Sequence, residues 1–164
     1  MYNNGILVRG GEDHIKNKIK VRLETTKINL IKQKHPMGCS IACLAMITGK
    51  YYDDVFNDCK PAWDEQIGLY TNVVDTYLWD HGYALQKFFK PNNWNKTYRN
   101  PWPVKPFTDI HLVHLRVYEH ANCDHFVIML NNGEIFDPKL GTKSSLDDYY
   151  RIYSITGIYQ VNNA

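Results

Sequence analysis

The chain has 164 residues and a formal net charge of +2, with 44% hydrophobic and 22% charged residues. This length suits a single domain that can bury a sizeable core. The composition is typical of a folded globular protein and excludes a largely disordered chain.

No segment approaches the roughly 18 apolar residues that a membrane-spanning helix needs, and the start of the chain lacks the apolar run of a signal peptide. The four cysteines are too few and too irregularly spaced for a disulfide framework, and they are Cys39, Cys43, Cys59 and Cys123. We therefore expect a soluble protein with free thiols, located in the cytoplasm, or in the host cytoplasm if a virus encodes it.

The first part of the chain differs from the rest. Residues 1–32 are polar and mildly basic, and we interpret residues 1–29 as an N-terminal extension of unknown role. Residues 30–164 are predicted to form the folded domain. The run "VRLETTKINLI", at 21–31, alternates enough to predict a strand or an extended arm.

Three helices are predicted in the first half of the domain. Nearly every residue from Cys39 to Ile47 is apolar, and Gly49 is placed to end this helix in a left-handed cap. Such a helix must be buried on most sides. "YYDDVFNDC" predicts a short second helix, and a third is expected in "TNVVDTYLWDHG", with Thr71 as its N-cap and Gly82 at its end.

The second half is predicted to form a sheet. Residues 91–106 hold four prolines, which predicts a long connection without regular structure. The β-rich runs "DIHLVHLRV", "HFVIML", "EIF" and "YSITGIYQV" follow, with "NNG" at 131–133 as a hairpin loop. One late helical turn is expected from the capping-box pattern Ser144 to Asp147. Helices followed by strands indicate an α+β fold.

Cys39 is the candidate nucleophile, because it stands at the mouth of the apolar helix. A helix N-terminus presents unpaired N–H groups and about half a positive charge, which favour a thiolate. Cys43 lies one turn further along the same face, where we expect a neutral and inert thiol in apolar packing.

A nucleophilic thiolate needs a general base, and the base needs a third polar group to orient it. His125 opens one predicted strand and Asp137 closes the next. If the hairpin loop is the three residues 131–133, Val127 lies opposite Asp137, and His125 falls on the same face along the diagonal. The hypothesis therefore requires a loop of odd length.

Gln33 completes the candidate site. It precedes Cys39 by six positions. Its side-chain amide is predicted to turn back across the "KHPMG" loop and to donate, together with the Cys39 N–H, to an oxyanion.

Three segments carry a resemblance to a known family: "QKHPMGCSIACLAM", "DHFVIMLNNGEIFDPKLG" and "SSLDDYYRIYSITGIYQV". In order and spacing, over roughly residues 30–162, they resemble the papain-like cysteine peptidase domain that processes bacteriocin leader peptides, and its stand-alone relatives. The resemblance implies a helical half with a buried nucleophile helix, packed on a C-terminal twisted antiparallel sheet.

The resemblance also implies roles for four residues: Cys39 as nucleophile, His125 as general base, Asp137 as orienting group and Gln33 in the oxyanion hole. The expected activity is hydrolysis of a peptide or related amide bond in a peptide or protein substrate, without a metal or cofactor. The family usually has Asp-Cys-Gly at the nucleophile, whereas this chain has Gly38, Cys39 and Ser40. This departure leaves the substrate class open.

Other interpretations stay open. The same fold serves as a non-catalytic binding or inhibitory module, for example a viral or mobile-element factor that binds a host protein, and the same triad performs deamidation or transglutamination. A zinc site from Cys39, Cys43, Cys123 and His125 is disfavoured because the spacing is not that of structural zinc modules. Nucleic acid is not an expected partner, although basic and aromatic residues capable of stacking on bases follow one another between Trp94 and Phe107.

Overall fold

The computed structural model describes residues 2–3, 6–8, 18–21, 28–89, 108–121 and 123–163. Its helices are α1 (Cys39–Thr48), α2 (Tyr52–Cys59) and α3 (Thr71–Asp80), with short 3₁₀ turns at Lys60–Ala62 and Leu146–Asp148. Its strands are β1 (Tyr2–Asn3), β2 (Ile6–Val8), β3 (Lys18–Val21), β4 (Tyr83–Phe89), β5 (Ile110–Arg116), β6 (His125–Leu130), β7 (Ile135–Asp137), β8 (Gly141–Lys143) and β9 (Arg151–Asn163). The protein is therefore a mixture of helices and antiparallel sheet, as predicted.

The described strands form one sheet in the order β1-β2-β4-β9-β5-β6-β7-β8, and β3 pairs with the end of β9. All pairings are antiparallel. Strands β1 to β3 belong to the predicted N-terminal extension, yet β2 pairs with β4 and β3 with β9. The backbone of the extension thus continues the sheet of the domain.

Helix α1 forms the centre of the main core. Its residues from Cys39 to Ile47 are buried without a break, and it contacts α2, α3 and β6. Gly49 ends the helix with a positive φ of 74°, and its N–H donates to the Ala45 carbonyl at 2.9 Å. This left-handed cap was predicted, and it is confirmed. A helix that is apolar on all sides is stable only when neighbours surround it.

The sheet buries both of its faces in the region of β5 and β6. Leu112 and Ile128 belong to the cluster that packs with the helices, whereas Val113 and Val127 belong to a second cluster that also contains Tyr149. Successive strand residues point to opposite faces of the sheet, so neighbouring residues belong to different clusters. Because both faces are buried, these strands are apolar at nearly every position.

Two predicted caps are wrong by one residue. Helix α3 begins at Thr71, and Tyr70 is its N-cap because the Tyr70 carbonyl accepts the hydrogen bond from the Val74 N–H at 3.2 Å. The late turn is a single 3₁₀ turn capped by Ser145, not Ser144, and the Ser145 hydroxyl accepts from the Asp147 N–H at 3.1 Å. A 3₁₀ turn is too short for the four-residue capping box of an α-helix.

Two other predictions fall largely outside the described residues. The proline-rich connection at 91–106 is one of them, together with the aromatic residues between Trp94 and Phe107. Of the run at 21–31, Val21 ends β3, residues 22–27 are outside the described ranges, and residues 28–31 have no regular structure.

Candidate active site

Cys39 is the first residue of α1 and lies at a cleft between the helices and the sheet. Gly38 is the N-cap and provides no side chain to bond the free N–H groups of the first turn. Cys39 is 6% exposed, and it lines a cleft of about 380 Å³ together with residues of β5 and β6. The thiol is thus largely buried but faces a space that a ligand can enter.

The hairpin of β6 and β7 brings His125 and Asp137 together. Ile128 pairs with Phe136, and the Leu130 N–H donates to the Glu134 carbonyl at 2.9 Å, so the loop is the three residues 131–133. The predicted odd length is confirmed. His125 Nε2 and Asp137 Oδ1 are 2.7 Å apart.

Asp137 is completely buried, and each of its oxygens is hydrogen bonded. Oδ1 accepts from the backbone N–H groups of Lys139 and Leu140 at 2.8 and 3.0 Å, and Oδ2 accepts from the Tyr149 hydroxyl at 2.7 Å. Burial alone would raise the pKa of Asp137, but the hydrogen bond and charge of His125, helped by these donors, lower it to about 2. Asp137 is therefore a carboxylate at neutral pH.

The ring of His125 is held between Asp137 and Cys39. Burial favours the neutral ring and lowers its pKa. Hydrogen bonds to Asp137 and to the Cys39 side chain outweigh this effect, and the pKa of His125 rises to about 9. Since Nε2 bonds to Asp137, Nδ1 is the ring nitrogen left for Cys39. A pKa of about 9 favours the protonated ring near pH 7.

Cys43 lies in apolar packing, as predicted. It is completely buried in the core of α1, and burial, with smaller contributions from Cys39 and Asp137, raises the pKa of its thiol well above the ordinary value. A thiol of this kind stays protonated and unreactive.

Gln33 lies in the loop before α1, but its amide nitrogen bonds to that loop. Nε2 donates to the carbonyls of His35 at 3.1 Å and Pro36 at 2.8 Å, while Oε1 is buried without a hydrogen-bond partner. The Gln33 backbone N–H donates to the Pro138 carbonyl at 3.0 Å, which ties the loop to the chain just after Asp137. The Gln33 amide can therefore donate to an oxyanion only if one of its two hydrogen bonds to the loop carbonyls breaks.

Tyr52 of α2 braces the same loop. Its hydroxyl accepts from the His35 N–H at 3.3 Å and lies 2.9 Å from His35 Nδ1. A Cβ added at Gly38 would lie 2.1 Å from the Tyr52 hydroxyl oxygen. A side chain at position 38 would therefore force the Tyr52 hydroxyl to move. Nothing in the local sequence around Gly38 indicates this contact.

The sheet wall of the cleft carries a polar cluster that the sequence analysis did not identify. Asp124 Oδ2 accepts from His114 Nε2 at 3.1 Å, and Asp124 Oδ1 lies 3.6 Å from Arg116 Nη2 in an ion pair. The hydrogen bond from His114 is the main reason that the pKa of Asp124 is lowered. The position of Asp124 directly before His125 was the available signal.

No protein-family model matches the chain, and no curated protein is similar to it in sequence. Among solved structures, the chain is similar to a double-glycine motif protease from an AMS/PCAT transporter, crystallised in complex with its leader peptide. The TM-score is 0.60 at 16% sequence identity, over 86% of this chain and 97% of that chain. The likeness shows the fold. This fold agrees with the expectation from the three sequence segments.

The described residues contain no helix that is both long enough and apolar enough to cross a membrane.

Proposed function

We propose that this protein is a cysteine peptidase that hydrolyses a peptide or related amide bond through a thioester intermediate. The supporting observation is the hydrogen-bonded pair of His125 and Asp137, with Cys39 near enough to raise the pKa of His125 and lining a cleft. The fold shared with a protease supports it as well.

The proposed reaction begins with the Cys39 thiolate and the His125 imidazolium. The thiolate attacks the carbonyl carbon, and the carbonyl oxygen becomes an oxyanion that the Cys39 N–H stabilises. His125 donates its Nδ1 proton to the leaving amine as the C–N bond breaks. A water molecule then loses a proton to His125 and attacks the thioester, which releases the acid and restores the thiolate.

Asp137 keeps the imidazolium in place throughout this cycle. Its Oδ1 accepts from Nε2, so Nδ1 stays directed to the sulfur. The backbone donors and Tyr149 hold the carboxylate itself. We assign Tyr149 as a positioning residue, because it acts through Asp137.

Labelling with iodoacetamide tests the nucleophile. Cys39 should be alkylated selectively near pH 7, and His125→Ala should remove that selectivity because the thiolate loses its counter-ion. His114→Gln is the matched control, since it removes another histidine of the same cleft and should leave labelling within about twofold. Equal and slow labelling of all four cysteines would favour a non-catalytic binding module.

Proteomic comparison tests the reaction. Peptide ends generated by the wild-type protein and absent with Cys39→Ala would identify hydrolysis, whereas modified but uncleaved glutamine side chains would identify deamidation or transglutamination. A peptide found in this way then serves as substrate for the variants below.

Gln33 is proposed as the second oxyanion donor. Removing one such donor costs about 10²–10³-fold in turnover, so Gln33→Ala should reduce cleavage by this factor. Alkylation by iodoacetamide develops no oxyanion and should stay within about twofold. Gln66→Ala, a change in a turn that also lines the cleft, is the control. If Gln33→Ala slows alkylation as much as cleavage, Gln33 only holds the loop.

A further inference from the structure

The cleft beside Cys39 contains two buried polar atoms without a hydrogen-bond partner. One is the Ser40 hydroxyl oxygen and the other is Arg116 Nε. Both residues line the cleft, Ser40 from α1 and Arg116 from β5. Buried polar groups in folded proteins are almost always hydrogen bonded, so a water molecule or a polar group of a ligand is needed to satisfy these two atoms.

Ser40 occupies the first turn of α1, next to the nucleophile, and is only 1% exposed. That turn has no capping side chain and no acidic residue, so the Cys39 thiolate of the proposed mechanism is the only negative charge within it that faces the free N–H groups and the positive end of the helix dipole. A negatively charged or hydrogen-bond-accepting group is the natural partner for this end of the cleft.

Arg116 adds a full positive charge from the opposite wall. Its Nη2 forms an ion pair with Asp124 Oδ1 at 3.6 Å, and Asp124 Oδ2 accepts from His114 Nε2 at 3.1 Å. Asp124 is therefore occupied and is not available for a basic ligand. The guanidinium, by contrast, retains Nε as a donor and can bind a carboxylate with two parallel hydrogen bonds.

The remaining lining limits what else can bind. Met37, Leu69 and Phe126 give apolar surface between the two polar atoms and fit the aliphatic part of a side chain. A basic group would be repelled by the charge of Arg116 and by the positive end of the helix dipole. A purely apolar group would leave the Ser40 hydroxyl oxygen and Arg116 Nε without hydrogen bonds.

We propose that the cleft of this peptidase recognises a carboxylate of its substrate, close to the scissile bond, through Arg116 and Ser40. This inference rests on the proposed function. The carboxylate belongs either to an acidic side chain or to a chain terminus, and the experiment separates these sources.

The test measures the alkylation rate of Cys39 by four small probes, in which the thiolate displaces bromide. They are bromoacetamide, N-bromoacetyl-glutamine amide, N-bromoacetyl-glutamate α-amide, and N-bromoacetyl-glutamine with a free α-carboxylate. We expect one of the two carboxylate probes to react about tenfold faster than the neutral glutamine amide, as one charge-assisted hydrogen bond would give. The faster one identifies side-chain or terminal recognition.

Variants assign the effect to its residues. The preference is the alkylation rate of the faster carboxylate probe divided by that of the neutral glutamine amide. Arg116→Gln should reduce this ratio to about unity while the bromoacetamide rate stays within twofold, and Ser40→Ala should reduce the ratio by about threefold. Lys139→Gln is the control, since Lys139 is a cation near Cys123 that lies outside the described lining of the cleft. The Lys139→Gln variant should show the same preference for the carboxylate probe as the wild type.

The outcomes separate the two proposals. Equal rates for charged and neutral probes in the wild type, with labelling that still depends on His125, would refute carboxylate recognition and leave the peptidase proposal standing. A preference that survives Arg116→Gln would also refute the assignment. A Cys39 that reacts with none of the probes would contradict both proposals.

Discussion

Replacing Asp137 with asparagine removes the charge beside His125 but retains the size of the side chain. The asparagine oxygen can still accept from the Lys139 and Leu140 N–H groups, and its NH₂ can donate to the Tyr149 oxygen. The variant should therefore fold. Its main effect falls on the imidazolium, which loses a carboxylate 2.7 Å away.

The size of the effect follows from the contributions to the pKa of His125. That pKa is about 9, against 6.5 for an unperturbed histidine, and Asp137 raises it through both a hydrogen bond and its charge. The Cys39 side chain provides the other raising contributions. A neighbouring opposite charge shifts a pKa by about 1–3 units, so Asp137→Asn should lower the pKa of His125 by about one to two units.

Nuclear magnetic resonance of ring-labelled histidines measures this shift without a substrate. The chain has seven histidines, and the spectrum of His125→Ala assigns the resonance. Tyr149→Phe is the matched control, because it removes a donor from the other oxygen of Asp137. In Tyr149→Phe, the pH midpoint of the His125 titration should be unchanged or slightly higher.

A wild-type midpoint near 6.5 would refute the reasoning, because it would mean that Asp137 and Cys39 do not stabilise the imidazolium. So would an unchanged midpoint in Asp137→Asn. Unfolding in denaturant should show a loss of roughly 1–3 kcal/mol for the variant, from one charge-assisted hydrogen bond.

Two further predictions concern stability. Gly38→Ala should lower the free energy of unfolding by about 1–3 kcal/mol, because the added methyl group meets the Tyr52 hydroxyl. In a Tyr52→Phe background the loss should be smaller, since the hydroxyl is absent. Urea denaturation measures both losses, and equal values would contradict the steric account. The raised pKa of His125 means that its ionic contribution, at most about 3 kcal/mol, is fully present below pH 6.5 and is lost as the pH rises through about 9. Denaturant unfolding at pH 6 and at pH 9.5 measures this loss as a difference in the free energy of unfolding. If the same difference persists in His125→Ala, the loss belongs to other groups.

Local features were predictable from the sequence. The unbroken apolar run from Cys39 and the glycine at 49 predicted α1 and its left-handed end, because burial and backbone freedom are properties of those residues themselves. The three-residue loop likewise predicted the facing of His125 and Asp137, since a strand alternates with period two. The mixture of helices and antiparallel sheet and the pairing of His125 with Asp137 therefore followed from pattern alone.

Other features depend on contacts between residues that are distant along the chain. The Tyr149 hydroxyl on Asp137, the Tyr52 hydroxyl against Gly38 and the pairing of His114 with Asp124 have no periodic signal. Gln33 was predicted as a donor to substrate, yet its amide bonds to the loop carbonyls that lie nearest to it. A hydrogen bond is decided by a few tenths of an ångström in three dimensions. Sequence patterns determine which face a residue occupies, and only tertiary packing decides which polar atom it meets there.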